Sequence, residues 1–207
     1  MISFDKAYQE IREKHLVPLA ARLELHLKEV FEKQPRVDRI SCRAKAIDSF
    51  VKKAAKLNND GSAKYSDPLE QIQDVVGARI VTFYRPDVEA LTKMVETHFT
   101  PIEEKELSPN SEYEFGYFGK HFVLLLPSDV LVEGMPDQAP EIFELQIKTV
   151  FQHAWSEASH DLDYKEENEP LTFDDKRKIA FASAQAWGAD NAFEEIARSR
   201  IVQFRKP

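Results

Sequence analysis

Cysteine is nearly absent from this chain, with Cys42 the only one in 207 residues. A lone thiol excludes an intramolecular disulfide framework and suits a reducing compartment. Long apolar runs are missing too. No stretch approaches the roughly 20 residues of a bilayer span, and residues 1–16 are charged, without the apolar core of a secretory signal. The expected location is therefore the cytoplasm, with secretion by a non-classical route left open. Positive charge is in deficit: 28 Lys and Arg against 36 Asp and Glu leave −8. That argues against broad electrostatic binding to nucleic acid, though not against a local basic pocket. Neither a Gly-x4-Gly-Lys-[Ser/Thr] loop nor a Gly-x-Gly-x-x-Gly turn occurs, so any nucleotide is held without a P-loop or a dinucleotide fingerprint. Zinc-ligand spacing is lacking as well, because Cys42, His98 and the pair His153/His160 have no second cysteine nearby.

What is present reads as one α+β (mixed α/β) domain over 1–207, with a core at 41–165 and helical flanks at 3–33 and 174–200. Phe4, Tyr8, Ile11, Leu19, Leu23, Leu27 and Val30 fall at helical spacing, and Pro18 is expected to kink or break that run. Residues 41–57 read as a second amphipathic helix. Asn59-Asp60-Gly61 marks a loop. Strands are expected at 78–84, 121–126 and 142–148, with a helix from Pro86 that turns Val88, Leu91, Val95 and Phe99 inward. Residues 101–115 read as irregular. A last helix from about Asp174 is expected to turn Ile179, Ala182, Ala186, Phe193 and Ile196 to one side.

The stretch 141–165 changes period halfway through. Phe143, Leu145 and Ile147 alternate with Glu144, Gln146 and Lys148, as a strand requires. From Val150 the apolar residues Phe151, Ala154, Trp155, Ala158 and Leu162 fall at helical spacing, opposite His153, Glu157, His160 and Tyr164. A polar strand face that continues into a polar helix stripe suggests a site.

Three further clusters carry chemistry. Arg43 precedes a stripe of Lys45, Ser49, Lys52, Lys53 and Lys56, which is either a solvated face or a cradle for polyphosphate. Asp74-Val-Val-Gly77-Ala-Arg79 opens a strand; its carboxylate suits Mg²⁺ or merely caps a turn. Gly116-Tyr117-Phe118-Gly119-Lys120-His121 either offers Tyr117 to a base or buries it in a tight turn.

Taken in order, these clusters resemble the RelA/SpoT synthetase family, specifically its short members, the small alarmone synthetases. The matching frame is Arg43-x-Lys45-x3-Ser49-x3-Lys53, Asp74-x2-Gly77-x-Arg79, Gly116-Tyr117-x3-His121, and Glu144-Leu-Gln146-Ile-Lys148-Thr149 with Trp155, His160 and Tyr164-Lys165. The resemblance implies a nucleotidyltransferase-like mixed sheet flanked by N- and C-terminal helices. It implies transfer of the β,γ-pyrophosphate of ATP to the 3′-hydroxyl of GDP or GTP, giving (p)ppGpp and AMP. By position, Arg43 and Arg79 would sandwich adenine, while Lys45, Ser49 and Lys53 would hold the ATP phosphates. Asp74 would bind Mg²⁺, and Glu144 would assist the metal or take the acceptor's proton. Tyr117 would stack on the acceptor base with His153 near its edge, and His121, Gln146 and Lys148 would surround the reacting phosphates.

Two departures fall on the acceptor side. Phe118 and Gly119 replace the family's variable residue and serine, and 111–115 is acidic where guanosine-specific members often carry lysine. The open alternatives are a toxin-type relative acting on the tRNA 3′ end or making adenosine alarmones, and an inactive nucleotide-binding regulator. Asp74 and Glu144 argue against the regulator, since binding alone does not need both carboxylates. Synthesis without hydrolysis is expected, as 1–42 offers only helical periodicity. A homo-oligomer, and an antitoxin for a toxin-type member, are the protein partners left open; no membrane partner is expected.

Overall fold

The computed structural model describes residues 4–106, 116–117, 119–135, 139–164 and 170–201. Its centre is a five-stranded mixed sheet in the order β1-β2-β5-β4-β3. The strands are β1 (Val37–Ala44), β2 (Val76–Thr82), β3 (Pro101–Glu106), β4 (Lys120–Leu125) and β5 (Ile142–Thr149). β2 runs parallel to β5, and the other neighbours are antiparallel.

The register sorts the side chains into two faces. Ala78, Ile80, Phe122, Phe143, Leu145 and Ile147 are buried on the apolar face. It is covered by α2 (Val17–Val30), through Leu19, Leu23 and Leu27, and by α5 (Arg85–His98), through Leu91 and Val95. The other face is polar. Ser41, Arg79, Gln146 and His121 lie in one cross-strand row, and Arg43, Gly77 and Glu144 in the next. α6 (Val150–Tyr164) continues directly from β5 and packs against α7 (Phe173–Arg200). Among the described residues, no helix is long and apolar enough to cross a membrane.

Several expectations need correction. Residues 41–57 are not one helix: β1 extends to Ala44, and only α3 (Ile47–Ala54) is helical. The alternation of Ile40, Cys42 and Ala44 with Ser41 and Arg43 is a strand signal that the lysine spacing behind it obscures. Residues 101–106 form an edge strand, legible only weakly because Ile102 is its sole large apolar residue and is 54% exposed.

Pro18 does not break the N-terminal run. Between α1 (Phe4–Ile11) and α2 lies a wider π-type turn, Arg12–Leu16, in which the Val17 N–H donates to the Arg12 carbonyl. Pro18, with no N–H to offer, sits at the start of α2, where none is needed. Gly61 has a φ of +82°, as the Asn-Asp-Gly turn requires.

The faces of the last two helices also differ from their apolar periodicity. α7 buries Ser183, Asp190 and Ala197, whereas Ala182 is exposed and Phe193 and Ile196 are 46% and 57% exposed. On α6, Ala154, Ala158 and Leu162 face outward. α7 is anchored to Thr149 and Tyr117 through Asp190, so its most buried stripe is not its most apolar one, although Phe193 stacks on Phe151 of α6 with ring centroids 5.6 Å apart.

Candidate active site

The polar face of the sheet and the middle of α6 enclose a cavity of about 330 Å³. Arg43 lines it from β1, Gly77 and Arg79 from β2, Glu144 and Gln146 from β5, and Glu157 and His160 from α6, with Asp74 at its edge. Gly77 lies beside Arg43 and Glu144 in register, and nothing occupies the space above it within 4 Å. The missing side chain leaves an open floor flanked by two guanidinium groups.

Asp74 is clamped between two cations. Lys45 Nζ donates to Oδ2 at 2.5 Å and Lys53 Nζ to Oδ1 at 2.9 Å. Burial pushes the carboxyl upward, but those bonds and charges outweigh it and hold Asp74 below the usual carboxylate range. Lys45, in the link between β1 and α3, is only 8% exposed. Its backbone is pinned from three sides. The Lys45 N–H donates to Val75 O at 2.9 Å, and its carbonyl accepts from Tyr8 Oη at 2.9 Å and Arg12 Nε at 3.0 Å. Tyr8 in turn stacks on Phe50 of α3 with ring centroids 3.7 Å apart. Ser49 and Lys53 lie one turn apart on α3, so cations from the link and the helix converge where the stripe predicts a phosphate cradle. Arg43 reaches the cavity from a strand rather than from that helix.

Glu144 forms the second acidic centre. His121 Nδ1 lies 3.3 Å from Oε1, and Gln146 Nε2 donates to Oε2 at 3.2 Å. Burial raises its pKa, but the bond and charge of His121 prevail, so the net direction is down and Glu144 is a carboxylate at neutral pH. His121 Nε2 and Gln146 Oε1, neighbours in register, are buried without a partner among the described residues. Unpaired buried polar atoms at a cavity imply a ligand or water. Lys148 extends the same strand face, only 6% exposed, with Nζ donating to Ser156 Oγ at 3.1 Å.

The remaining expected residues are placed differently. Tyr117 is 8% exposed, and its hydroxyl donates to Asp190 Oδ2 at 2.7 Å. Of the two readings set out for it, the buried one describes this conformation, not the open stacking platform. His153 sits against Arg79, its Nδ1 3.3 Å from Nη1. Arginine only donates, so Nδ1 accepts and His153 is neutral here; burial, then Arg79, depress its pKa accordingly. Trp155 is half-buried, with Nε1 donating to Ile179 O at 3.2 Å. Phe118, 111–115 and Lys165 lie outside the described residues.

Sequence reasoning missed Tyr8, Arg12 and Asp190 as supports, since none belongs to a motif. Asp190 also accepts from Thr149 Oγ1 at 2.5 Å, which ties α7 to the end of β5. Among the described residues, no group of three or more His, Cys, Asp or Glu side chains could hold a metal. Asp74 and Glu144 nevertheless line one cavity, and the charge of Asp74 reaches Glu144. Burial pushes the Cys42 thiol up to about 12, which excludes thiolate chemistry from this wall.

Residues 42–169 match the model of the region found in RelA / SpoT proteins. The chain is 25% identical over 134 residues to GTP pyrophosphokinase YjbM of Bacillus subtilis (strain 168), an alignment covering 62% of this chain and 57% of that relative. Only a little over half of the relative's length is therefore spanned. Among solved structures, small alarmone synthetase 1 from Bacillus subtilis bound to its product pppGpp superposes with a TM-score of 0.74. Identity there is 23%, over 94% of this chain and 98% of that one. A GTP pyrophosphokinase family protein from Streptococcus pneumoniae gives a TM-score of 0.71 at 18% identity, covering 96% and 95%. At these identities the structural likeness is one of fold. Because the family region covers most of the polar sheet face and the cavity it lines, the chain belongs to the RelA/SpoT family.

Proposed function

We propose that this chain transfers the β,γ-pyrophosphate of ATP to the 3′-hydroxyl of GDP or GTP, forming (p)ppGpp and releasing AMP. The observation that carries the reading is the clamp of Asp74 between Lys45 and Lys53, on the same cavity as Arg43, Gly77, Arg79 and Glu144. Cations already gathered around a carboxylate suit a triphosphate that arrives with a divalent metal, because the incoming charges rearrange rather than accumulate. The relatives named as GTP pyrophosphokinases support the same reaction class.

Adenine would lie over Gly77 between Arg43 and Arg79, where guanidinium planes stack on its faces. Lys45, Ser49 and Lys53 would take the phosphates. Asp74 and Glu144, together with phosphate and water oxygens, form a donor set that fits Mg²⁺. Bound there, the ion would neutralise phosphate charge and polarise the reacting phosphorus. Glu144, oriented by His121 and Gln146, would accept the proton of the acceptor's 3′-hydroxyl. The acceptor oxygen bonds to the β-phosphorus, the bond to the α,β-bridging oxygen breaks, and AMP leaves. Lys148 would meet the acceptor's phosphates and stabilise charge at the neighbouring transferring group.

Incubation with γ-labelled ATP and Mg²⁺ against GDP, GTP, AMP, ADP, ATP and deacylated tRNA in separate reactions tests this. Label is expected on GDP or GTP, and to vanish in Asp74→Asn and Glu144→Gln with the fold intact. Label on an adenosine nucleotide or on tRNA would reassign the acceptor; no label on any of them would sink the enzyme reading.

A further inference from the structure

We propose that Glu157 is a positioning residue for the donor nucleotide, holding Arg79 from α6 so that its guanidinium forms one wall of the base pocket. The inference rests on the donor-pocket reading above and extends it to a residue outside the family frame. Glu157 occupies the polar stripe of α6 and lines the cavity beside His160. Its Oε1 lies 2.7 Å from Arg79 Nη1, the same nitrogen that meets His153 Nδ1 at 3.3 Å. Arg79 Nε is buried without a partner among the described residues. The described polar contacts of this guanidinium therefore come from α6, although its backbone belongs to β2.

A guanidinium that stacks on a base must present its plane before the ligand arrives, or lose rotamer freedom on binding. Glu157 removes that freedom in advance, from a helix that is itself tied down. Two residues back, Trp155 Nε1 bonds the Ile179 carbonyl of α7. The carboxylate also offsets the repulsion between Arg79 and Lys148, two cations that share this end of the sheet.

The sign of the effect separates positioning from plain charge. An exposed carboxylate near a polyanionic nucleotide should, by charge alone, weaken binding, so its neutralisation would tighten it. Positioning predicts the reverse. Glu157 is 54% exposed, and replacing it threatens no core contact.

The test measures the affinity of a non-hydrolysable ATP analogue with Mg²⁺ by calorimetry, and KM for ATP and for the acceptor separately. Glu157→Gln is expected to weaken the analogue about fivefold to tenfold, leaving acceptor KM unchanged, a split that a general loss of structure would not produce. Arg79→Ala should weaken it further. The double variant should be no worse than Arg79→Ala alone, because Glu157 acts through that guanidinium. Unchanged or tighter binding in Glu157→Gln, or additive losses in the double variant, overturns the proposal. If instead Arg43→Ala and Arg79→Ala both bind the analogue as the parent does, the donor-pocket reading itself falls.

Discussion

Raising the pH from 7.5 to 9.5 should discharge Lys148 and weaken the site in a measurable way. Burial first, and then the neighbouring Arg79, push its ammonium down to about 8 from the ordinary lysine range. At pH 9 about one molecule in ten still carries that charge. A phosphate brought beside Lys148 favours the charged form and restores its pKa. Each acceptor nucleotide bound at pH 9 should therefore take up nearly one proton, against almost none at pH 7. Affinity should fall about tenfold per pH unit above 8, to a limit near two orders of magnitude.

Folding stability moves the opposite way. The folded pKa lies below the unfolded one, so burying the charged amine costs on the order of 3 kcal/mol at neutral pH. That cost disappears as the pH rises from about 8 through the ordinary lysine range. Calorimetric titration with GDP in two buffers of different ionisation enthalpy measures the proton count, and urea melts at the same pH values measure stability. Lys148→Arg keeps the charge and should flatten the affinity profile. An affinity that stays level to pH 9.5, or no proton uptake at pH 9, would refute the reasoning.

Gly119→Ser, which restores the family's usual residue, should destabilise rather than improve the protein. A Cβ there meets the Ile147 carbonyl oxygen and Lys148 Cγ well inside contact distance, and a loss of about 2–4 kcal/mol is expected in a denaturant melt. Burial raises the pKa of Asp190 in the fold, so its contribution to stability is present at low pH and lost as the pH climbs through the raised value. Subtracting the pH profile of Asp190→Asn from that of the parent should isolate this slope, since the Asp74 and Glu144 contributions cancel. Tyr8→Phe removes one of the two donors to the Lys45 carbonyl but keeps the stack on Phe50. It should cost about 1 kcal/mol and raise KM for ATP while sparing that of the acceptor.

Much of the core was legible because burial imposes a period. Phe143, Leu145 and Ile147 alternate cleanly against Glu144 and Gln146, and the structure keeps that division up to Ile147, after which Lys148 and Thr149 are both buried. β1 was illegible for the converse reason. Its polar residues Arg39, Ser41 and Arg43 run into lysines at helical offsets, and a true helix three residues beyond Ala44 lent the whole stretch its period. α7 misled differently. Its buried stripe centres on Ser183 and Asp190, and apolar periodicity says nothing about a helix docked through a carboxylate. That Arg43, Asp74, Arg79 and Glu144 belong together was readable from residue type, since guanidinium and carboxylate groups declare themselves, and the structure brings them to one cavity. The setting of Tyr117 was not, because whether it faces a cavity or a buried aspartate depends on a residue 73 positions away.

The supports that sequence reading missed share one property: they act on backbone or on other side chains, not on ligand. The Asp74 clamp hangs on Lys45, and the position of Lys45 is set by its own carbonyl, held by Tyr8 of α1 and Arg12 of the π-type turn that follows it. Its N–H bonds Val75, the residue after Asp74, so both partners of the clamp are fixed at one backbone junction. At the other end of the sheet, Asp190 binds Tyr117 and Thr149 together from α7. Residues 42–169 thus contain the groups that would touch nucleotide, while the helices outside that span determine where two of its key junctions sit. A change in α1 or α7 can therefore alter donor or acceptor affinity without touching a motif. The split between the two KM values, rather than total activity, is the quantity that would reveal which junction has moved.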